Sequence, residues 1–403
     1  MERGLTRKRE KLTDYRDDYW VCGKCKMCQS MNVQMFTSAR FSANCPCGTR
    51  YRFESYYAAG MMEIARAITN LEFDPTQKTA DIIYSCSLCG LCQEMCFPLK
   101  GLHTTRIIQL MREKAVDEGW GPLEGHRALL DSTASNDNPL GLEKGFKARA
   151  AKGLGVKDLA REKAENLLFV GCAYASSEET HKRLAALVKV LQATGLDFGV
   201  LGDAEPCCRS FNLALGDRDG FEEHARENIE LFRSTGASRI ITACPHCLQV
   251  LRDEYGQAMD LEVVHASELL AKMLSKKELT FTGRLAGIKA AYHDPCMLGR
   301  WCEIYEPPRK LLSALPGLEV LEFERNMENS WCCGAGGGVK AGKPALADWT
   351  AEERMEEARA VGAEAIVTAC PHCENHLADR KDLPVYDMFE LLASGLGDPQ
   401  EVV

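Results

Sequence analysis

Five cysteines recur twice in the same order, and no other feature limits this chain as tightly. Cys172, Cys207, Cys208, Cys244 and Cys247 are followed by Cys296, Cys332, Cys333, Cys370 and Cys373, at an offset of 124 to 126 residues. So little drift over five positions implies a duplicated domain. Within each copy, short apolar runs alternate with amphipathic helical stretches. Leu167–Val170 runs into Cys172, and Arg239–Ala243 into Cys244; Ala290–Tyr292 precedes Cys296, and Ala365–Ala369 precedes Cys370. Strand–helix alternation predicts parallel α/β layers, with functional groups at the C-terminal strand ends, where these cysteines sit. Capping boxes are expected at Ser176/Glu179 and Thr350/Glu353. One helix is expected to bury Leu184, Leu187, Val188 and Leu191 and stop at Gly195; another buries Phe221, Ala225, Ile229 and Phe232 and stops at Gly236.

Nine of the other ten cysteines crowd the first hundred residues. Cys86, Cys89, Cys92 and Cys96 follow the C-x-x-C-x-x-C-x-x-x-C spacing of bacterial ferredoxins, in which three thiolates hold one [4Fe–4S] cube and the fourth serves its partner. Cys22, Cys25 and Cys28 begin a second such run, but Asn32 stands where its fourth cysteine would fall. We read an insertion there, with Cys45, before Pro46, as the displaced ligand. One cube then takes Cys22, Cys25, Cys28 and Cys96, and the other takes Cys86, Cys89, Cys92 and Cys45. A four-thiolate zinc site on Cys22, Cys25, Cys45 and Cys47 is the competing arrangement. Helices are expected over 54–71 and 102–118, and a linker with one short helix from Gly119 to about Lys163.

Twenty cysteines without a secretory leader argue for ligation in a reducing compartment rather than a disulfide framework, so a cytoplasmic location is expected. A net charge of −9 disfavours nucleic acid as a partner. No run of eighteen apolar residues is present, so a membrane would be reached only through a partner. The basic stretch Arg3, Arg7, Lys8, Arg9 and Lys11 reads as a solvated terminus. Gly334 and Gly336–Gly338 follow a cysteine pair rather than a strand, so they suit close backbone approach to a cluster better than a phosphate loop. His246 and His372, inside Cys-Pro-His-Cys segments, read as packing beside ligand loops, and Cys302 as a small buried hydrophobe.

The lone cysteine, the adjacent pair and the C-x-x-C of each copy resemble the cysteine-rich CCG domain of heterodisulfide reductases. Tyr292-His293-Asp294-Pro295-Cys296 and Trp331 to Gly338 carry the resemblance most closely, whereas the first copy has Arg209 where the second has Gly334. The whole chain resembles the D-type subunit of heterodisulfide reductase; the iron–sulfur subunits of glycolate and lactate oxidases are similar in order. The resemblance implies an α+β multidomain protein. A mainly helical two-cluster ferredoxin domain (1–125) and a linker (126–163) would precede two tandem, Rossmann-like α/β CCG domains (164–285 and 286–403). It implies two cubane clusters feeding two noncubane [4Fe–4S] clusters, with Cys207, Cys208, Cys332 and Cys333 as the catalytic pairs. Two facing open clusters would each supply one electron to a clamped disulfide. The rival it allows is an electron relay between a flavoprotein and a quinone-linked or acyl-CoA reductase partner. Partners are expected among flavoproteins, ferredoxin-like proteins and cytochromes.

Overall fold

The structure is a computed structural model that describes residues 9–30 and 38–397. Arg3, Arg7 and Lys8 of the basic stretch, and Asn32 in the insertion, lie outside the described residues. The chain is a mixed α/β protein with two parallel sheets. The first contains β1 (Lys157–Asp158), β2 (Asn166–Phe169), β3 (Phe198–Val200), β4 (Arg239–Thr242) and β5 (Glu262–His265), in the order β1-β3-β2-β4-β5. The second contains β6 (Ile288–His293), β7 (Leu318–Glu322), β8 (Ala365–Thr368) and β9 (Val385–Asp387), in the order β7-β6-β8-β9. Apart from β1, the two orders are the same. β2 and β8 are buried along their whole length, which is why they read as unbroken apolar runs rather than alternating ones.

The repeats pack as a pseudo-symmetric pair. The helix Glu178–Ala193 of the first lies on Met388–Gly395 of the second, and Ala266–Ser275 of the first lies on Glu306–Ser313 of the second. These contacts exchange when the repeats are interchanged, as a twofold requires. One apolar core results, running from Leu168, Leu187 and Ile241 to Tyr292, Val367 and Phe389.

The described residues before Gly119 form helices and loops, with no strand among the named elements. Ala58–Thr69 and Thr104–Asp117 occupy the two spans where helical periodicity is strongest, and both bury their apolar faces. The segment after Gly119 is more ordered than a plain connector. It folds as Glu124–Asn136 and Phe146–Ala151, and both helices carry buried side chains. Two expected capping boxes are displaced. The helix after Cys172 is capped one residue later, by Ser177 with Thr180, which bond each other's backbone N–H groups. Thr350 is buried inside Pro344–Ala360, where Pro344 at the first turn sets the start. Its hydroxyl bonds Leu346 O, 2.7 Å away, rather than a free helix end.

Two buried histidines make the fold sensitive to acid. His126 shares a hydrogen bond with Gly338 O at 2.9 Å, and His265 one with Ala243 O at 3.1 Å. Burial pushes both rings down to about 4. The unfolded chain takes up these protons near 6.5, so stability is full above that pH and falls as pH drops towards 4. The expected loss at pH 5 is about 2 kcal/mol per histidine. Urea unfolding at pH 7 and pH 5 measures it, and His126→Gln should make the loss shallower. A variant as acid-sensitive as the parent would refute the assignment.

Candidate cluster-binding sites

The two C-x-x-C-x-x-C loops share a backbone shape. Lys24 and Lys26 are left-handed, with φ of 49° and 67°, and so are Leu88 and Gly90, with φ of 53° and 81°. These positions lie two and four residues after the first cysteine of each loop. Repeated left-handed residues curl the chain so that successive cysteines face one centre. A cavity is lined by Cys22, Cys25, Cys28 and Cys96, together with Ala58, Ala59 and Met62 of the helix behind them. Cys45 and Cys47 are not in its lining. Their sulfurs lie 3.5 Å apart, and Cys47 faces Cys86 and Cys89. The four cysteines of the zinc alternative are therefore divided between two places, and both Cys45 and Cys47 stand beside the second loop.

That second loop is clamped by the second repeat. Arg300 Nε donates to Cys89 O at 2.6 Å and Trp301 Nε1 to Leu88 O at 3.0 Å. Gly336 and Gly337 press on the loop so closely that a Cβ on either would come within 2.9 Å of Ser87 O. The glycine run thus serves close approach of backbone to backbone. Cys89 touches Cys332, which also touches Cys296, and all three are buried. No sequence signal pairs Cys89 with the second repeat rather than the first, because the contact joins positions more than two hundred residues apart.

Within each repeat the five cysteines converge. In the second, Cys332 touches Cys296 and Cys333, and Cys333 touches Cys373, which touches Cys370. In the first, Cys207 touches Cys208, whose sulfur is 3.4 Å from Cys247; Cys247 touches Cys244, and Cys172 faces Cys208 and Cys244. Arg209 and Gly334 both take the left-handed region, φ 62° and 97°. Their N–H groups donate to Cys207 Sγ at 3.4 Å and to Cys332 Sγ at 3.3 Å. A side chain is tolerated at the first position because Arg209 reaches away, to Thr133 O and Asp137 Oδ1. At the second, a Cβ would lie 2.5 Å from Ala347 O, so only glycine fits. Cys302 is buried apart from both sets.

The two sets face each other. The ring of His246 reaches the sulfurs of both Cys244 and Cys370, and His372 reaches Cys244. The two rings are 5.0 Å apart. The histidines therefore sit between the repeats rather than merely beside their own loops. A cavity opens at this junction, lined by His246, Gln249 and Ser210 of the first repeat, Met297, Trp301 and Gly337 of the second, and Ser87 and Leu88 of the clamped loop. The buried Nδ1 of His246 has no hydrogen-bond partner among the described residues.

The donor chemistry fits iron–sulfur clusters. Burial holds the Cys86 and Cys172 thiols well above their ordinary range. Thiols packed this way lose their protons when a cation takes them as ligands. Five soft donors exceed the four of a closed zinc site. Backbone N–H groups already point at sulfur, as cluster environments require.

Residues 166–252 and 290–378 match the family model described as "Cysteine-rich domain". The chain is 32% identical over 344 residues to the D-type subunit of the dihydromethanophenazine:CoB–CoM heterodisulfide reductase of Methanosarcina acetivorans, covering 82% of this chain and 81% of that one. It is also 32% identical over 335 residues to the EtfAB:quinone oxidoreductase of Syntrophomonas wolfei, covering 78% of this chain and 46% of that protein. Among solved structures, glutamate racemase RacE1 from Bacillus anthracis aligns with 58% of this chain and 79% of its own, at 11% identity and a TM-score of 0.29. These relatives make it an iron–sulfur oxidoreductase subunit, and the chain belongs to the family of CCG-domain proteins formed by the D-type subunits of heterodisulfide reductases.

Proposed function

We propose that this chain reduces a disulfide between its two five-cysteine sites, using electrons that enter at its ferredoxin-like loops. The observation that carries this reading is His246, whose ring meets one cysteine of each repeat and borders the junction cavity. Four iron–sulfur clusters would supply electrons one at a time, while a disulfide takes two electrons and two protons to become two thiols.

Their placement supports the following division, with Cys45 taken over Cys47 because Pro46 follows it. Cys22, Cys25, Cys28 and Cys96 would hold the outermost cluster, and Cys45, Cys86, Cys89 and Cys92 the next. Cys296, Cys332, Cys333, Cys370 and Cys373 would hold the third, against the clamped loop. Cys172, Cys207, Cys208, Cys244 and Cys247 would hold the fourth. The wall of the cavity mixes apolar side chains (Leu88, Leu213, Val250, Met297 and Trp301) with polar ones (Gln109, Ser210, Gln249 and Glu254), which would suit an alkyl disulfide that also carries polar groups. His246 Nδ1 can hold a ligand there by one hydrogen bond.

A relay between a flavoprotein and a quinone-linked or acyl-CoA reductase partner is the second reading. It is favoured by the burial of nine of the ten repeat cysteines and by the name of the S. wolfei relative.

Anaerobic protein, reduced with dithionite and freed of it, should convert added dithiodiethanol to two thiols per two electrons removed. No thiol formation from a panel of alkyl disulfides would leave the relay. The same preparation should carry close to sixteen irons, four per cluster. Cys45→Ala should lose about four of these, and Cys47→Ala none. The reverse would make Cys47 the ligand. Stoichiometric zinc with about eight irons or fewer would sink the four-cluster scheme.

A further inference from the structure

Nine large apolar side chains are exposed among the described residues, and eight belong to the first hundred positions. Four of them flank the outer cavity: Trp20 and Val21 precede Cys22, and Phe97 and Leu99 follow Cys96. Cys22 and Cys96 face each other, so these side chains share one rim. Phe97 is 74% exposed. Trp20 carries the Arg66 guanidinium 5.4 Å from its ring centre. Cys25, the one exposed cysteine, lies inside the rim.

The same rim is positive on a chain whose net charge is −9. Lys24, Lys26 and Lys100 line the cavity. Lys24 pairs with Glu63 at 3.2 Å, and Asp18 is taken by His103 at 2.8 Å. Lys26 and Lys100 are exposed and have no ion pair among the described residues. Exposed aromatic and aliphatic groups ringed by unpaired cations have the composition of a transient protein interface, with an apolar centre and a steering rim.

We infer that this rim is the docking face for an acidic electron-carrier protein, which delivers electrons at the Cys22/Cys25/Cys28/Cys96 site. The inference rests on the proposed function only in taking that site as a cluster. Lys26 and Lys100 steer a partner that surrounds its redox group with carboxylates. Phe97 and Leu99 then exclude water between the two groups. In each encounter the carrier loses one electron and this chain gains one, with no bond made or broken.

Flavodoxin hydroquinone is a suitable acidic probe, passing to the semiquinone as it gives up its electron. Stopped-flow mixing with oxidised anaerobic protein should give a second-order rate that falls about tenfold as NaCl rises from about 50 to about 500 mM. Lys26→Glu with Lys100→Glu should lower the low-salt rate about tenfold or more, and Phe97→Ser with Leu99→Ser should lower it at every salt concentration. The small cation methyl viologen radical should reduce the parent and the Phe97/Leu99 variant alike, and both variants should keep the parent's iron content. All four side chains are exposed, so the variants should fold. A charge-reversed variant that accepts electrons from flavodoxin at the parent rate overturns the proposal. So does loss, in the Phe97/Leu99 variant, of binding to phosphatidylglycerol vesicles with the flavodoxin rate unchanged, which would make the rim a membrane face. If neither donor reduces the parent and about four irons are missing, the cluster reading of this site has failed, and the docking proposal falls with it.

Discussion

Arg112→Met should cost the protein about 4 kcal/mol or more of stability, an effect large enough to impair assembly. Arg112 is fully buried. Its guanidinium donates to Ile83 O at 3.0 Å, Ala214 O at 2.7 Å, Gly337 O at 2.9 Å and Cys86 O. These carbonyls belong to the ferredoxin-like segment, the first repeat and the second repeat, so one side chain ties three modules. Methionine fills much of the space but offers these carbonyls no donor; Ile83 O keeps a bond from Cys86 N at 3.4 Å, and the other three lose the guanidinium at about 1–3 kcal/mol each before relaxation. Arg112→Lys should recover less than half, because one ammonium cannot serve carbonyls on several sides. Chemical unfolding under anaerobic conditions measures both. A loss below about 1 kcal/mol for Arg112→Met would show that the modules are held together elsewhere.

Cys333→Ala and Cys208→Ala should each lower disulfide reduction at least a hundredfold. Each variant should also lose about four irons. Both residues hold the middle of a chain of touching sulfurs, Cys332–Cys333–Cys373 in the second repeat and Cys207–Cys208–Cys247 in the first. Removing either breaks its set of five while leaving Cys22–Cys28 and Cys86–Cys96 in place. Dithionite should therefore still bleach the visible absorption of the remaining sites. If either variant forms thiols at the parent rate, the disulfide mechanism is wrong and electron transfer remains.

Much of the architecture can be read along the chain, because it depends on local periodicity. The runs Leu167–Val170 and Ala365–Ala369 are apolar at nearly every position, and they become buried parallel strands whose ends deliver Cys172 and Cys370. The duplicated spacing foretells two sheets of matching order. What stays hidden depends on contacts between distant positions. Arg112 shares its helix with Arg106, Glu113, Lys114 and Asp117, so nothing local marks it as the tie between modules. His126 follows a stretch rich in turn residues, yet it is fixed by Gly338, two hundred residues away, and a Cβ on Gly342 would come within 2.2 Å of its ring. The misplaced capping boxes have a local cause. At the first helix Ser176 and Ser177 are adjacent candidates and Ser177 takes the cap; at the second Pro344 opens the helix with no side-chain cap and leaves Thr350 in its interior.

The continuous apolar core of the two repeats has a mechanical consequence. Tyr174 of the first repeat donates to Asp387 of the second across 2.5 Å, in a buried bond beside the mated helices. Two lobes joined this way cannot swing apart like jaws, because opening would expose Leu187, Val367 and Phe389 together. A molecule reaching the junction must therefore thread past side chains into a gap of nearly fixed width. On the proposed disulfide chemistry, the bulk of the groups that flank the S–S bond, rather than any closing motion, would then decide what is admitted.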